Sequence, residues 1–125
     1  MTDNHVPLLE AKDHSQPSVF RPENLLREGR RQRDRDDLPV PEVCLLDPDG
    51  DVVRYLLGND LVEEHPGWAC YHTTLWCFEP GDRRVGVVGC AVGAPFAVLV
   101  AEQLAASGCG LVVSITSSGS ITPGG

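Results

Sequence analysis

The stretch VGVVGCAVGAPFAVLVAEQLAASGCGLVVSITSSGS, residues 85–120, decides the fold. After Arg84 the only charged residue in the chain is Glu102, and a run that poor in charge belongs to a buried core. VGVVGC is apolar on both faces, as in a strand of a sheet covered on both sides. Gly93-Ala94-Pro95 turns the chain, and proline suits the first turn of a helix. APFAVLVAEQLAAS then reads as a helix, apolar nearly all round, with Gly108 as its stop. It should pack through Phe96, Leu99, Val100 and Leu104. GLVVSIT is a second buried strand, so the run predicts a βαβ unit whose two strands are parallel neighbours.

Working back from this unit, WACYHTTLWCF (68–78) alternates like a strand, and EPGD (79–82) turns it into the strand at 85 as an antiparallel hairpin. VCLL (43–46) is a short buried strand, DPDGD (47–51) a turn, and VVRYLLGND a short helix closed by Gly58. These strands predict one mixed sheet in a three-layer α/β arrangement. Residues 20–39 read as a helix from about Pro22 followed by a linker, with solvated arginines interleaved with acids. Residues 1–19 are polar, hold Pro7 and Pro17, and read as a disordered tail. Residues 40–125 form the α/β domain.

Charge narrows the partners. The 125 residues carry a formal charge of −8, which opposes nucleic-acid phosphates and anionic membranes alike. No apolar run reaches the length of a spanning helix, and the polar start does not read as a signal peptide. Five cysteines without a secretory leader suggest reduced thiols and a cytoplasmic setting. Cys70, His72 and Cys77 lack zinc-finger spacing, and Gly58 stands where a calcium loop needs its bidentate glutamate, so no metal is expected.

Ligands of open α/β sheets sit at the carboxyl ends of the strands. Both ends of the βαβ unit are marked, by GCAVGAP and by SSGS. Glycines admit a ligand close to the backbone, and serine hydroxyls both donate and accept without charge. That lining suits a sugar or a phosphate, although serine-glycine loops also simply turn a chain. The dinucleotide pattern G-x-G-x-x-G and the P-loop lysine are both missing. An unrelated α/β nucleotide-binding domain remains an alternative.

Residues 40–122 resemble the amino-terminal half of the nucleoside phosphorylase family, which includes uridine and purine nucleoside phosphorylases and related nucleosidases. Val92-Gly93-Ala94-Pro95 matches that family's Gly-x-Pro turn, Glu102-Gln103-Leu104 its helix, Gly108 the helix exit and Ser117-Ser118-Gly119 its terminal loop. Leu46-Asp47-Pro48-Asp49 looks like its first Gly-Asp-Pro turn. The resemblance implies a mixed sheet of that family's type, cut off after the first βαβ unit. It also implies cleavage of the N-glycosidic bond of a nucleoside, by phosphate or by water, with no cofactor beyond phosphate as co-substrate. Ser117 would touch phosphate or the ribosyl nucleophile, Ser118 and Gly119 would lie beside the base, and Gly93 would line the same pocket. The family's domain continues for about as many residues again and there holds the acids that grip ribose. The 125 residues are therefore expected to be inactive alone, as part of an enzyme or as a non-catalytic nucleoside-binding or interaction protein.

Two departures bear on mechanism. The phosphorylases carry an arginine three residues before the loop hydroxyl, where this chain has Ser114, and another after the Gly-Asp-Pro turn, where it has Gly50. Each charge-assisted bond so lost is worth about 1.5–3 kcal/mol, which favours water over phosphate. Arg54 is the one nearby substitute. Self-association is also expected, because the strand around Val112, Val113 and Ile115 presents apolar residues at an open edge.

Overall fold

A computed structural model describes residues 10–122. Its elements are α1 (Pro22–Arg33), β1 (Val43–Asp47), α2 (Asp51–Gly58), β2 (Glu63–Glu64), β3 (Leu75–Phe78), β4 (Val85–Gly89), α3 (Ala94–Ala106) and β5 (Leu111–Ser114). The fold is α/β: five strands form one mixed sheet in the order β2-β3-β4-β1-β5. β4, β1 and β5 are parallel, while β3 runs antiparallel to β4 and β2 antiparallel to β3. No helix among the described residues is long and apolar enough to cross a membrane.

The strand at 85 and the strand at 111 run the same way, but they are not neighbours. β1 lies between them, with Cys44 opposite both Gly86 and Val112, and Leu46 opposite both Val88 and Ser114. The crossover through α3 therefore skips one strand. β1 can lie between two parallel strands because it carries apolar residues on both faces, Cys44 and Leu46 on one and Val43 and Leu45 on the other.

Side chains alternate across a sheet, so register assigns the faces. Cys44, Leu46, Val88 and Leu75 point to one face and form the core with Val100 and Leu104 of α3 and with Trp68 and Cys70. Phe96 is half-buried against that cluster, and Leu99 is half-buried. Asp47, Val87 and Gly89 point to the other face, where Val53 of α2 packs against Gly89. Helices thus lie on both sides of the sheet.

The segment 68–78 is strand only from Leu75. Residues before it coil into a turn instead. The Trp68 indole donates to Thr73 Oγ1 at 2.8 Å, Thr73 Oγ1 donates to the Cys70 carbonyl at 3.0 Å, and His72 takes the left-handed conformation with φ 62°. Trp68 and Cys70 are buried all the same, so the alternation that suggested a strand comes from a buried loop.

α1 begins at Pro22 and ends in a left-handed Asp34. It is part of the packed unit, where the sequence suggests a solvated helix leading into a linker. Leu26 is 2% exposed, and Gly29 lets the helix approach the 69–71 loop: a Cβ there would sit 2.6 Å from the Ala69 carbonyl oxygen. Arg33 donates to the Cys70 carbonyl and Tyr71 to Gln32. The following residues are tied down as well, by Arg35 on Glu64 at 3.0 Å. Of the tail, residues 10–19 are irregular and exposed, and residues 1–9 lie outside the described residues.

Gln103 of α3 is 1% exposed, and neither its amide nitrogen nor its oxygen finds a nitrogen or oxygen partner. The neighbouring Cys70 thiol is only a weak one. A buried amide left unpaired costs more than an apolar group of similar shape. Gln103→Leu is expected to raise stability by about 1 kcal/mol, read as a melting point about 4 °C higher. A lower melting point would show that the amide is satisfied.

Candidate functional site at the carboxyl edge of the sheet

Three loops leave the carboxyl ends of the parallel strands: 47–50 after β1, 90–93 after β4 and 115–119 after β5. The chain leaves β1 into α2 on one face and leaves the adjacent β4 into α3 on the other. Such a divergence between neighbouring strands is a topological switch point, the place where open α/β sheets take their ligands. The switch point follows from the β4-β1 pairing, so a reading that sets β4 beside β5 misses it.

Asp47 ties the loops of this edge together. Its carbonyl accepts the Gly50 N–H at 3.0 Å and the Cys90 N–H at 2.9 Å, so one oxygen fastens both loops. Its carboxylate is buried, and Oδ2 accepts the Val53 N–H at 2.9 Å in the first turn of α2. Gly50, directly before that helix, has no side chain with which to cap it, so Asp47 does so from the strand end. Gly50 itself must be glycine: φ is 77°, and a Cβ would meet Cys90 Sγ at 2.9 Å and Arg54 Nη1 at 3.1 Å. The Cys90 thiol and the Arg54 guanidinium therefore converge above it. Arg54 also donates to the Asp49 carbonyl at 3.3 Å and pairs with Asp51.

Asp49 joins the third loop to the first. Its Oδ2 accepts both the backbone N–H and the hydroxyl of Ser117, each at 3.0 Å. These two bonds, the backbone one foremost, hold the Asp49 carboxyl below its ordinary range. Ser117 is thus fixed at the edge. Ser118 and Gly119 extend past it, exposed. Gly93 is exposed in the loop after β4, with φ 90° and open space around its Cα. Gly93 and Ser117 follow β4 and β5, which are not neighbours because β1 lies between them. The carboxyl edge is an open shelf. A recess of about 510 Å³ lies at the other end of the parallel strands, lined by Leu61, Glu63, Cys77, Phe78 and Arg84 among others.

Of the residues singled out in the sequence, Ser117 acquires a defined partner, and Gly93 stands exposed in the loop after β4. The sequence gives no site role to Cys90, and names Asp49 only as part of the turn after the first strand. Asp49 stands in a segment that reads as a turn, although a turn straight after an apolar strand is itself a sign of a carboxyl-end loop. Cys90 carries no such sign, since only the conformation at φ 62° and the approach to Gly50 distinguish it. Comparison with protein-family models, curated proteins and solved structures finds no match for this chain. What the fold defines is an α/β protein with a topological switch point at the carboxyl edge of a mixed sheet.

Proposed function

We propose that the carboxyl edge binds a nucleoside through its ribose, as part of nucleoside phosphorylase-like chemistry at the N-glycosidic bond, with water favoured over phosphate as nucleophile. The observation that carries this reading is the state of Ser117. Its hydroxyl proton is already donated to Asp49, so the free lone pairs of Oγ accept rather than donate. Such a group suits a ribose hydroxyl or a water molecule, both of which bring a proton. It does not suit a phosphate dianion, which brings only acceptors. Charge points the same way. Asp49 lies on the shelf with the buried Asp47 beneath it, Ser114 is uncharged, and Arg54 is engaged with Asp51 and the Asp49 carbonyl. The motif resemblance from Leu46 to Gly119 supplies the substrate class. A nucleoside-binding role without catalysis rests on the same shelf and differs only in the absence of turnover.

Equilibrium binding of uridine, inosine and methylthioadenosine, with product analysis, tests the reading. At least one nucleoside should bind, and its affinity should not depend on phosphate concentration. Ser117→Ala removes one hydrogen bond and should weaken binding about tenfold. Arg54→Ala should leave binding unchanged. Ribose 1-phosphate released with saturable phosphate dependence, and lost in Arg54→Ala, would show instead that Arg54 holds phosphate. No binding of any of the three nucleosides would remove the substrate class altogether.

A further inference from the structure

β5 is the last strand of the sheet, and among the described residues no other strand pairs with its outer edge. The Leu111 and Ile115 N–H groups bond inward to the Glu42 and Leu46 carbonyls of the β1 segment. Backbone groups alternate in direction along a strand, so those of Val112 and Ser114 point out from the free edge. The side chains divide the same way. Val112 turns to the core side and packs against it, a correction to the expectation that it is part of the exposed row. Leu111, Val113 and Ile115 share the other face and are 55%, 38% and 51% exposed. α2 covers that face over β1 and β4, leaving these three uncovered. None of the usual protections of an edge is present: β5 has no lysine, no proline and no charge.

We propose that this edge pairs with the same edge of a second copy, antiparallel and centred on Val113, to make one continuous ten-stranded sheet. The register follows from the side chains. Opposed residues of an antiparallel pair share a face, so the twofold axis must fall on a residue. Centred on Val113, it sets Leu111 against Ile115 of the second copy and Val113 against Val113. Every member of the exposed apolar row then meets an apolar partner. The same register sets Val112 opposite Ser114, and their outward N–H and C=O groups bond reciprocally on both sides of the axis. Centring on Val112 would instead leave Ile115 opposite Cys109, outside the strand.

The row is complementary to itself, which selects a second copy as the occupant: in this register each of its three apolar residues meets another member of the same row. Charge permits the contact, since the chain carries −8 overall but residues 103–122 hold no charged side chain, so two acidic copies meet here without close repulsion.

Sedimentation velocity of the 125-residue chain at micromolar concentration should find a dimer. Hydrogen exchange should slow at the Val112 and Ser114 amides as concentration rises. Val113→Lys sets two ammonium groups face to face across the axis and should raise the dissociation constant at least tenfold with an unchanged circular dichroism spectrum. Leu111→Lys alone should also weaken the dimer, and adding Ile115→Glu should restore much of it, because those two positions meet only between copies. A wild-type monomer overturns the proposal. So does a dimer that survives Val113→Lys, since it must use another surface. A dimer in which Ile115→Glu rescues nothing overturns the register.

Discussion

Asp47→Ala is expected to destabilise the protein by about 1.5–3 kcal/mol and to abolish ligand binding at the carboxyl edge. The magnitude comes from a buried, charge-assisted hydrogen bond. Asp47 is 2% exposed and its Oδ2 takes the Val53 N–H, one of the donors at the start of α2 that no helical carbonyl can satisfy. With alanine that donor stays buried and unpaired, and the negative charge favoured at a helix N-terminus is lost as well. The functional effect is transmitted through the turn. Asp47 sets where Asp49 lies, and Asp49 holds Ser117 by two bonds. Asp47→Asn keeps an acceptor and loses only the charge, so it should fall between alanine and wild type. Urea unfolding measures the stability change, which should appear as a shifted midpoint with an unchanged slope. Equilibrium nucleoside binding measures the rest. An alanine variant within about 0.5 kcal/mol of wild type would show that water caps α2 equally well.

Local features of the chain announce most of its elements. Pro22, Gly50, Gly58, Pro95 and Gly108 stand at or beside helix ends, and the apolar runs VCLL, VGVV and LVVS are strands. What the sequence does not announce is non-local. Nothing in VCLL says that it inserts between the strands at 85 and 111, because an apolar strand pairs equally well with either. The hidden strand order conceals the switch point. Gly29 gives no local sign that α1 docks, since the demand for a missing side chain comes from Ala69, forty residues away. The turn at 68–74 reads as a strand because its β-forming residues fall into two alternating rows; in the fold Trp68, Ala69 and Cys70 are buried in succession, and the Trp68–Thr73 and Thr73–Cys70 bonds close a coil. The site was legible in one half. A hydroxyl loop after a strand draws attention to Ser117. The carboxylate that fixes it comes from a turn 68 residues earlier.

The stability of the protein should fall as pH drops through the ordinary histidine range, and His65 should carry that slope. His65 is buried, with both ring nitrogens engaged. The Gly67 N–H donates to Nδ1 at 3.1 Å, so the ring proton sits on Nε2 and is donated to the Pro39 carbonyl at 3.0 Å. The neutral ring satisfies both contacts. A protonated ring sets a donor against the Gly67 N–H and puts a charge where water cannot reach it. Burial, foremost, and the nearby Arg84 charge lower the His65 pKa from its ordinary 6.5, against the raising effect of the Pro39 carbonyl. The sign follows. The unfolded chain takes up a proton near pH 6.5 while the folded one resists, so stability is full above that value and declines below it. The depressed carboxylates do not obscure the window, since Asp49 titrates below 3.8 and Glu28 below 4.5. His65→Leu should flatten the decline and cost about 1–3 kcal/mol at neutral pH, because the Gly67 N–H and the Pro39 carbonyl both lose their partner. His65→Gln can donate and accept, so it should flatten the slope at a smaller cost. Urea unfolding at pH values on either side of 6.5 decides the matter. An equal slope in wild type and His65→Gln would mean that another group titrates, and that the ring is a strut between the 34–39 segment and the core rather than its pH-sensitive joint.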